Sequence, residues 1–311
     1  MAKVESLPKP DSAISSGGKL PAYLAALFAV IAWGASFIAT KQALRDVSPI
    51  TVVWLRFVIG VVILGFTVTL RRQFALPKWK ELGNFALLGF LGVTLHHWLQ
   101  SNGLVTAQAS TSAWIVATIP AFIALLGWLV LHERLGWKRT LGIFLAALGV
   151  LLVVAKGVLR ALGGFFSGKS FGEPGDLLVM LSAPNWAVFS VLSRGSLKHH
   201  PAARMMFYVM SLGLLFISAL FFSGPGLGEI HQLTLNGWLG IGFLGIFCSG
   251  FAYVFWYDAL QALPASRVGA FLYLEPLVTV VVAALILGEP ILLAALFGGA
   301  LILGGVWMVQ R

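Results

Sequence analysis

In VTLHHWLQSNGL, residues 93–104, two adjacent histidines stand inside an apolar run. Histidine exchanges protons and hydrogen bonds near neutral pH, and inside hydrocarbon it is costly unless water, a partner or a bound molecule meets it. His97 and Ser101 are four residues apart, which on a helix is one turn along one face, with His96 and Gln100 about 100° further round. Glu275, in YLEPLVTVVVAALILGEP (273–290), sets a carboxylate in a second such run. There it could carry a proton, meet a substrate ammonium, or bond in its protonated form to a neighbour such as Tyr257. Trp33, Trp114 and Trp186 fall more than a turn inside their own runs, away from the interfaces where tryptophan collects. Each indole offers a flat apolar face and one N–H, suited to packing helices or to walling a chamber. Recognition of a small molecule within a membrane is the chemistry that this set suggests, and no residue in it is assigned a catalytic role.

The elements that position these residues follow from composition. With 59% hydrophobic and 10% charged residues in 311, the chain carries more apolar surface than a soluble globule can hide. Runs long enough to cross roughly 30 Å of hydrocarbon as helix lie near 22–40, 49–70, 83–104, 109–131, 138–155, 175–193, 202–223, 236–260, 266–287 and 291–309. They are continuously apolar, without the alternation of a membrane β-barrel. The expected fold is therefore an all-α polytopic membrane protein. Residues 1–21 read as a disordered cytoplasmic tail with no apolar core before a cleavage site. The single cysteine, Cys248, has no partner for an intramolecular disulfide.

Fifteen Lys and Arg residues fall on the side of the termini, while Lys41, Arg45, Lys156, Arg160 and Lys169 fall on the other. By the positive-inside tendency both termini are cytoplasmic, in a bacterial inner membrane. Topology thus accounts for the net charge of +10, and no nucleic-acid partner is needed. Arg56 remains, inside the second span, where it is expected to cap or pair internally or to meet substrate.

An internal repeat organises the spans. At an offset of 156, Gly89 meets Gly245, Ala109 and Ser110 meet Ala265 and Ser266, Pro120 meets Pro276, and Glu133 meets Glu289. Gly142 and Gly149 likewise meet Gly298 and Gly305, and at an offset of 153 Trp33 meets Trp186. Residues 22–155 and 175–311 then form two five-helix repeats joined by a Gly-rich linker, 156–174. Since five is odd, the second half enters from the opposite side, giving ten transmembrane helices as a 5+5 inverted-topology repeat around a central cavity. The offset carries His97 and Ser101 onto Tyr253 and Tyr257, so both halves offer hydrogen-bonding groups to one face. Asn185 and Ser36 are expected as polar anchors beside Trp186 and Trp33. Pro120 and Pro276 predict hinges in the fourth and ninth helices, and Pro184 a third bend. The glycine pairs predict close helix packing, and Glu133 and Glu289 are expected to favour the N-termini of the helices that come after them.

The stretches WLRF (54–57), IPAFIALLGWLVLHERL (119–135) and LEPLVTVVVAALILGEPI (274–291), followed by the paired glycines, resemble the drug/metabolite transporter superfamily, specifically its EamA-type ten-helix members. In aromatic content the middle helices are similar to bacterial aromatic amino acid exporters of the YddG type. The resemblance implies a secondary transporter exporting amino acids or related metabolites, aromatic or large neutral ones foremost, by alternating access. Nucleotide sugars or drug-like compounds are the alternative cargo, and a channel or an intramembrane enzyme the alternative class. The chain carries no HExxH pattern or serine nucleophile elbow. No metal, cofactor or obligate protein partner is expected; the expected partners are a small-molecule substrate and the lipid bilayer.

Overall fold

Inside hydrocarbon every backbone N–H and C=O must find its partner within the protein, and apolar runs of this length satisfy the demand as helices. A computed structural model describes residues 19–131, 136–156, 172–197, 199–263 and 265–310, and within these it has ten helices long and apolar enough to cross a membrane. They are α1 (Lys19–Ala43), α2 (Pro49–Leu70), α3 (Trp79–Thr106), α4 (Ala109–Leu129), α5 (Trp137–Val154), α6 (Pro174–Leu197), α7 (Ala202–Ser223), α8 (Leu235–Ala262), α9 (Arg267–Leu287) and α10 (Leu293–Gln310). Helix α1 starts at Lys19, inside the segment expected to be a tail, because Pro21 falls in its first turn, where a missing N–H costs no hydrogen bond. Most of the expected linker and Glu133 lie outside the described residues.

The packing pattern maps onto itself when the halves are exchanged. Helix α3 packs on α6 as α8 packs on α1, α2 on α8 as α7 on α3, and α1 on α9 as α6 on α4. Two pairs are their own images, α2 with α7 and α5 with α10. The α5–α10 seam is the most intimate, and the repeated glycines make it. A Cβ placed on Gly149 would come within 2.5 Å of the Gly298 carbonyl oxygen, and one on Gly142 equally close to that of Gly305. Only backbones without side chains fit that tightly.

Four helices depart from regular α geometry, in symmetry-related pairs. Helix α4 breaks after Val116 and restarts at Ile119, and α9 runs through a 3₁₀ stretch, Phe271–Leu274, before restarting at Glu275. The expected hinges at Pro120 and Pro276 are thus interruptions, with each proline in the first turn of the second segment, where its missing N–H is harmless. Pro184 stays inside the unbroken α6. The other pair was not anticipated: α3 turns to π-helix over Phe90–Leu95 and α8 over Phe243–Phe251. A π turn inserts extra residues and rotates the next turn of helix onto a new face. Directly after these turns come His96 and His97 in α3, and Ala252 and Tyr253 in α8.

Gly149→Leu is expected to lower the melting temperature of the detergent-purified protein, since overpacking a tight seam costs about 1–3 kcal/mol. Gly304 faces outward on α10, where an added Cβ would meet nothing within 4 Å, so Gly304→Ala should leave stability unchanged or slightly raised. Equal melting curves for the Gly149→Leu variant and the wild type would contradict the seam.

Candidate functional site

Where α1, α2, α3, α6, α8 and α9 converge, polar and aromatic side chains collect. His96 and His97 come directly after the π turn of α3 and lie edge to face, ring centres 5.0 Å apart. The His96 ring meets the Trp186 indole of α6 at 4.5 Å, and its Nδ1 pairs with the Ser182 carbonyl at 3.2 Å. His97 rests against Phe57 of α2 at 4.8 Å, and neither of its ring nitrogens has a hydrogen-bond partner among the described residues although both are buried. Across the same cluster Trp33 of α1 stands edge to face with Tyr253 of α8 at 5.5 Å and against Trp256 at 5.2 Å. Trp33, Trp186 and Tyr257 pack on one core formed by Phe57, Phe189 and Tyr253. All three are half-buried, as is Glu275.

Arg56 is the charged member of this group. It is 4% exposed, its Nε donates to Ser249 Oγ at 3.0 Å, and its guanidinium lies within electrostatic reach of His96, His97 and Tyr253. The cross-half bond to Ser249 supplies one of the internal partners expected from sequence. Glu275 opens the second segment of α9, where its backbone carbonyl and that of Gly34 share the Thr279 hydroxyl. A Cβ on Gly34 would lie 2.8 Å from the Glu275 carbonyl oxygen, so α1 reaches α9 only because residue 34 is glycine.

Some of the expected residues stand apart from this cluster or serve the backbone. Trp114 belongs to a different core, with Ile115, Val150 and Ile302, and its ring fills the space above Gly299. Its indole N–H is buried without a partner. The Ser36 hydroxyl donates to the Trp33 carbonyl one turn back, and the Asn185 amide donates to the Leu91 carbonyl inside the π turn of α3, tying α6 to it. Ser101 is buried and Gln100 half-buried on α3. Trp98 of α3 is half-buried.

These features place the chain among known proteins. The EamA-like transporter family matches it twice, over residues 20–155 and 173–311. The chain belongs to that family, within the drug/metabolite transporter superfamily. An uncharacterized transporter of Archaeoglobus fulgidus is 30% identical over 90% of this chain and 93% of its own length. A probable terminal-alkyne amino-acid exporter of Streptantibioticus cattleyicolor is 26% identical over 92% of each chain. One crystal structure superposes with a TM-score of 0.63 at 21% identity, covering 94% of this chain and 98% of that one, which speaks to the fold.

In this EamA-family chain both ends of the cluster are closed by contacts between halves. At the end carrying the α1–α2 and α7–α8 connections, Asp46 accepts from the Thr234 N–H and hydroxyl at 2.9 and 2.6 Å, capping α8. Glu229 accepts from the Ser48 N–H and the Thr51 hydroxyl at 2.9 and 2.7 Å, capping α2. Glu289 accepts from the N–H groups of Ala109 and Ser110 at 2.8 and 3.0 Å, capping α4. Sequence reading assigned Glu289 to the helix immediately after it; the helix it serves lies in the other half, a partner that local spacing does not reveal. Within the first half, at the same end, the Lys41 ammonium donates to the Ala107 carbonyl at 2.5 Å. At the opposite end Arg71 and Asp258 form a two-pronged ion pair at 2.7 Å, and Tyr208 donates to the Ala75 carbonyl.

Burial acts to raise the Glu229 carboxyl, but the hydrogen bonds from Ser48 and Thr51 outweigh it and hold the group below its ordinary value. A carboxyl lowered on folding stabilises the closed end above its unfolded pKa, and that contribution disappears as pH falls through the lowered value. Hydrogen exchange at the start of α2, corrected for intrinsic rates, is therefore expected to rise as pH drops below the usual carboxylate range. Glu229→Gln should show raised exchange already at neutral pH and a flat profile; a profile like the wild type's would remove Glu229 from the closure.

Proposed function

We propose that the protein is a secondary transporter that exports amino acids or related metabolites through the space between Trp33, His97, Trp186, Tyr253 and Glu275, opening it alternately to either side of the membrane. The observation that carries this reading is His97, buried at the meeting of the two halves with both ring nitrogens unpartnered. A buried polar group of this kind is costly until something hydrogen-bonds to it, and a visiting substrate does so only while present. The flanking indoles and phenol suit flat or bulky apolar side chains. The name of the Streptantibioticus relative favours amino acids as cargo.

Alternation is a consequence of the construction. Two inverted halves meeting at one site can close one end while the other opens, and the carboxylate caps and the Arg71–Asp258 pair are the contacts that would exchange. The interruptions at Pro120 and Pro276 are where α4 and α9 would bend. In orientation, the end of the Arg71–Asp258 pair faces the cytoplasm of a bacterial cell, together with both termini, as the charge distribution favours. Such a carrier needs no catalytic residue, so the family's transport role is taken without an enzymatic one.

Liposomes holding the purified protein, offered labelled amino acids, nucleosides, sugars and cationic drugs, test the reading. Uptake of at least one large neutral amino acid is expected. If every amino acid is inert while a nucleotide sugar moves, the cargo is wrong. His97→Ala and Trp186→Ala should each depress transport at least tenfold with the melting temperature little changed, and normal rates in both would move the site elsewhere. Pro120→Ala and Pro276→Ala are expected to slow transport while binding persists, because a bias of ~1.4 kcal/mol between access states changes their populations about tenfold. Wild-type rates in both would leave these prolines a packing role.

A further inference from the structure

The interior space holds two opposite charges that do not meet. Arg56 is 4% exposed; among the described residues its one hydrogen bond goes to the neutral Ser249 hydroxyl and no carboxylate pairs with it. Glu275, enclosed at the start of the second α9 segment, has neither a cationic partner nor a side-chain hydrogen bond among the described residues. Arg56 is tied to Ser249, one turn before Tyr253 on α8, and Glu275 packs on Gly34 of α1, next to the Trp33 that meets Tyr253, yet among the described residues no ion pair joins the two charges. Glu275 is half-buried, and the terminal nitrogens of the Arg56 guanidinium, which lies 5.2 Å from the Phe57 ring centre, make no hydrogen bond among the described residues. Beside Arg56 stands His97, which has two further unused ring nitrogens and feels the guanidinium's charge.

Buried charges are ordinarily paired, and a cation and an anion kept apart around a cavity lack just what a zwitterion brings. We infer that Arg56 and Glu275 are the two charge subsites of the chamber and make it selective for α-amino acid zwitterions over singly charged or uncharged analogues. The Arg56 fork binds the substrate carboxylate, with His97 as its second donor, because guanidinium presents paired N–H groups in carboxylate geometry. Glu275 accepts from the substrate ammonium. The Trp33 and Trp186 faces, the first against Tyr253 and the second against His96, take the side chain. Ser249 is a positioning residue: it holds Nε and leaves the rest of the guanidinium toward the chamber. A zwitterion satisfies both charges without adding net charge to the membrane interior, whereas a carboxamide leaves Arg56 unmet and a deaminated acid leaves Glu275 unmet.

The inference deepens the transporter reading and rests on its chamber. Matched probes built on phenylalanine and on leucine, each as zwitterion, carboxamide and deaminated acid, are titrated onto the detergent-purified wild type by thermal shift at neutral pH. In at least one set the zwitterion should bind about tenfold or more tightly than both analogues, as expected of a site built around specific polar groups. Arg56→Gln should bring zwitterion and carboxamide to equal affinity while keeping discrimination against the deaminated acid, and Glu275→Gln should do the converse. Should either variant fail to fold, the wild-type series still decides. Equal binding of all three forms in both sets, with His97→Ala and Trp186→Ala weakening them all, overturns the charge subsites and leaves the chamber standing. Absence of binding by every probe, with transport unaffected in those two variants, overturns the chamber and the inference with it.

Discussion

A charge or an unpaired polar group within hydrocarbon must be answered from inside the protein, and this chain is arranged around that demand. Its backbone is answered by helices. The helix ends in two connecting regions are answered by carboxylates from the opposite half, as Asp46 does for Thr234 and Glu229 for Ser48. The groups left over, Arg56, His97 and Glu275, gather at the junction of the halves, each with bonding capacity that the protein does not use. A transport site needs this surplus, because a fully satisfied interior has no reason to bind anything.

The inverted repeat explains how one chain builds both the rigid and the movable parts. Contacts that are their own image under exchange of the halves, such as the glycine seam of α5 with α10, look the same whichever end is open. Contacts at the two ends differ in kind: backbone-capping carboxylates at one, the Arg71–Asp258 pair at the other. The central residues break the symmetry. Glu275 has Ile119 as its repeat mate at the offset of 156 and Arg56 has Val209 at the offset of 153, so the junction carries one of each charge where a perfect repeat would carry two. A symmetric scaffold with an asymmetric centre can hold an asymmetric molecule from either side.

Much of this was legible in the sequence. Spans follow from length and hydropathy, the repeat from a fixed offset, and the close seam from glycines seven residues apart. His96, His97, Trp186, Trp33 and Tyr253 are conspicuous in the sequence as polar and indole groups at mid-span, and the structure packs them into one cluster. The features that escaped were long-range or cooperative. The π turns of α3 and α8 lie in FLGVTL and FLGIFCSGF, whose apolar residues carry no mark that separates an α from a π register. Glu289 sits two residues past α9, yet its partners are about 180 positions away. Trp114 resembles Trp33 and Trp186 in depth, yet it packs in a separate core with Ile115, Val150 and Ile302, which its depth in the span does not reveal. Pro120 and Pro276 announced a disturbance, but whether a helix bends or stops depends on neighbours that the local sequence does not name.

The central claim is that one site between the halves is reached alternately from its two ends. Spin-label distances in the reconstituted protein test it most directly, with one pair at Arg45 and Gln232 across the carboxylate-capped end and a second at Arg72 and Gln261 across the opposite end, all four side chains being exposed. Alternating access predicts two populations in which the distances change in opposite senses, with transported amino acid shifting their ratio. A single unchanging distance at both ends, or simultaneous lengthening of both, would contradict it.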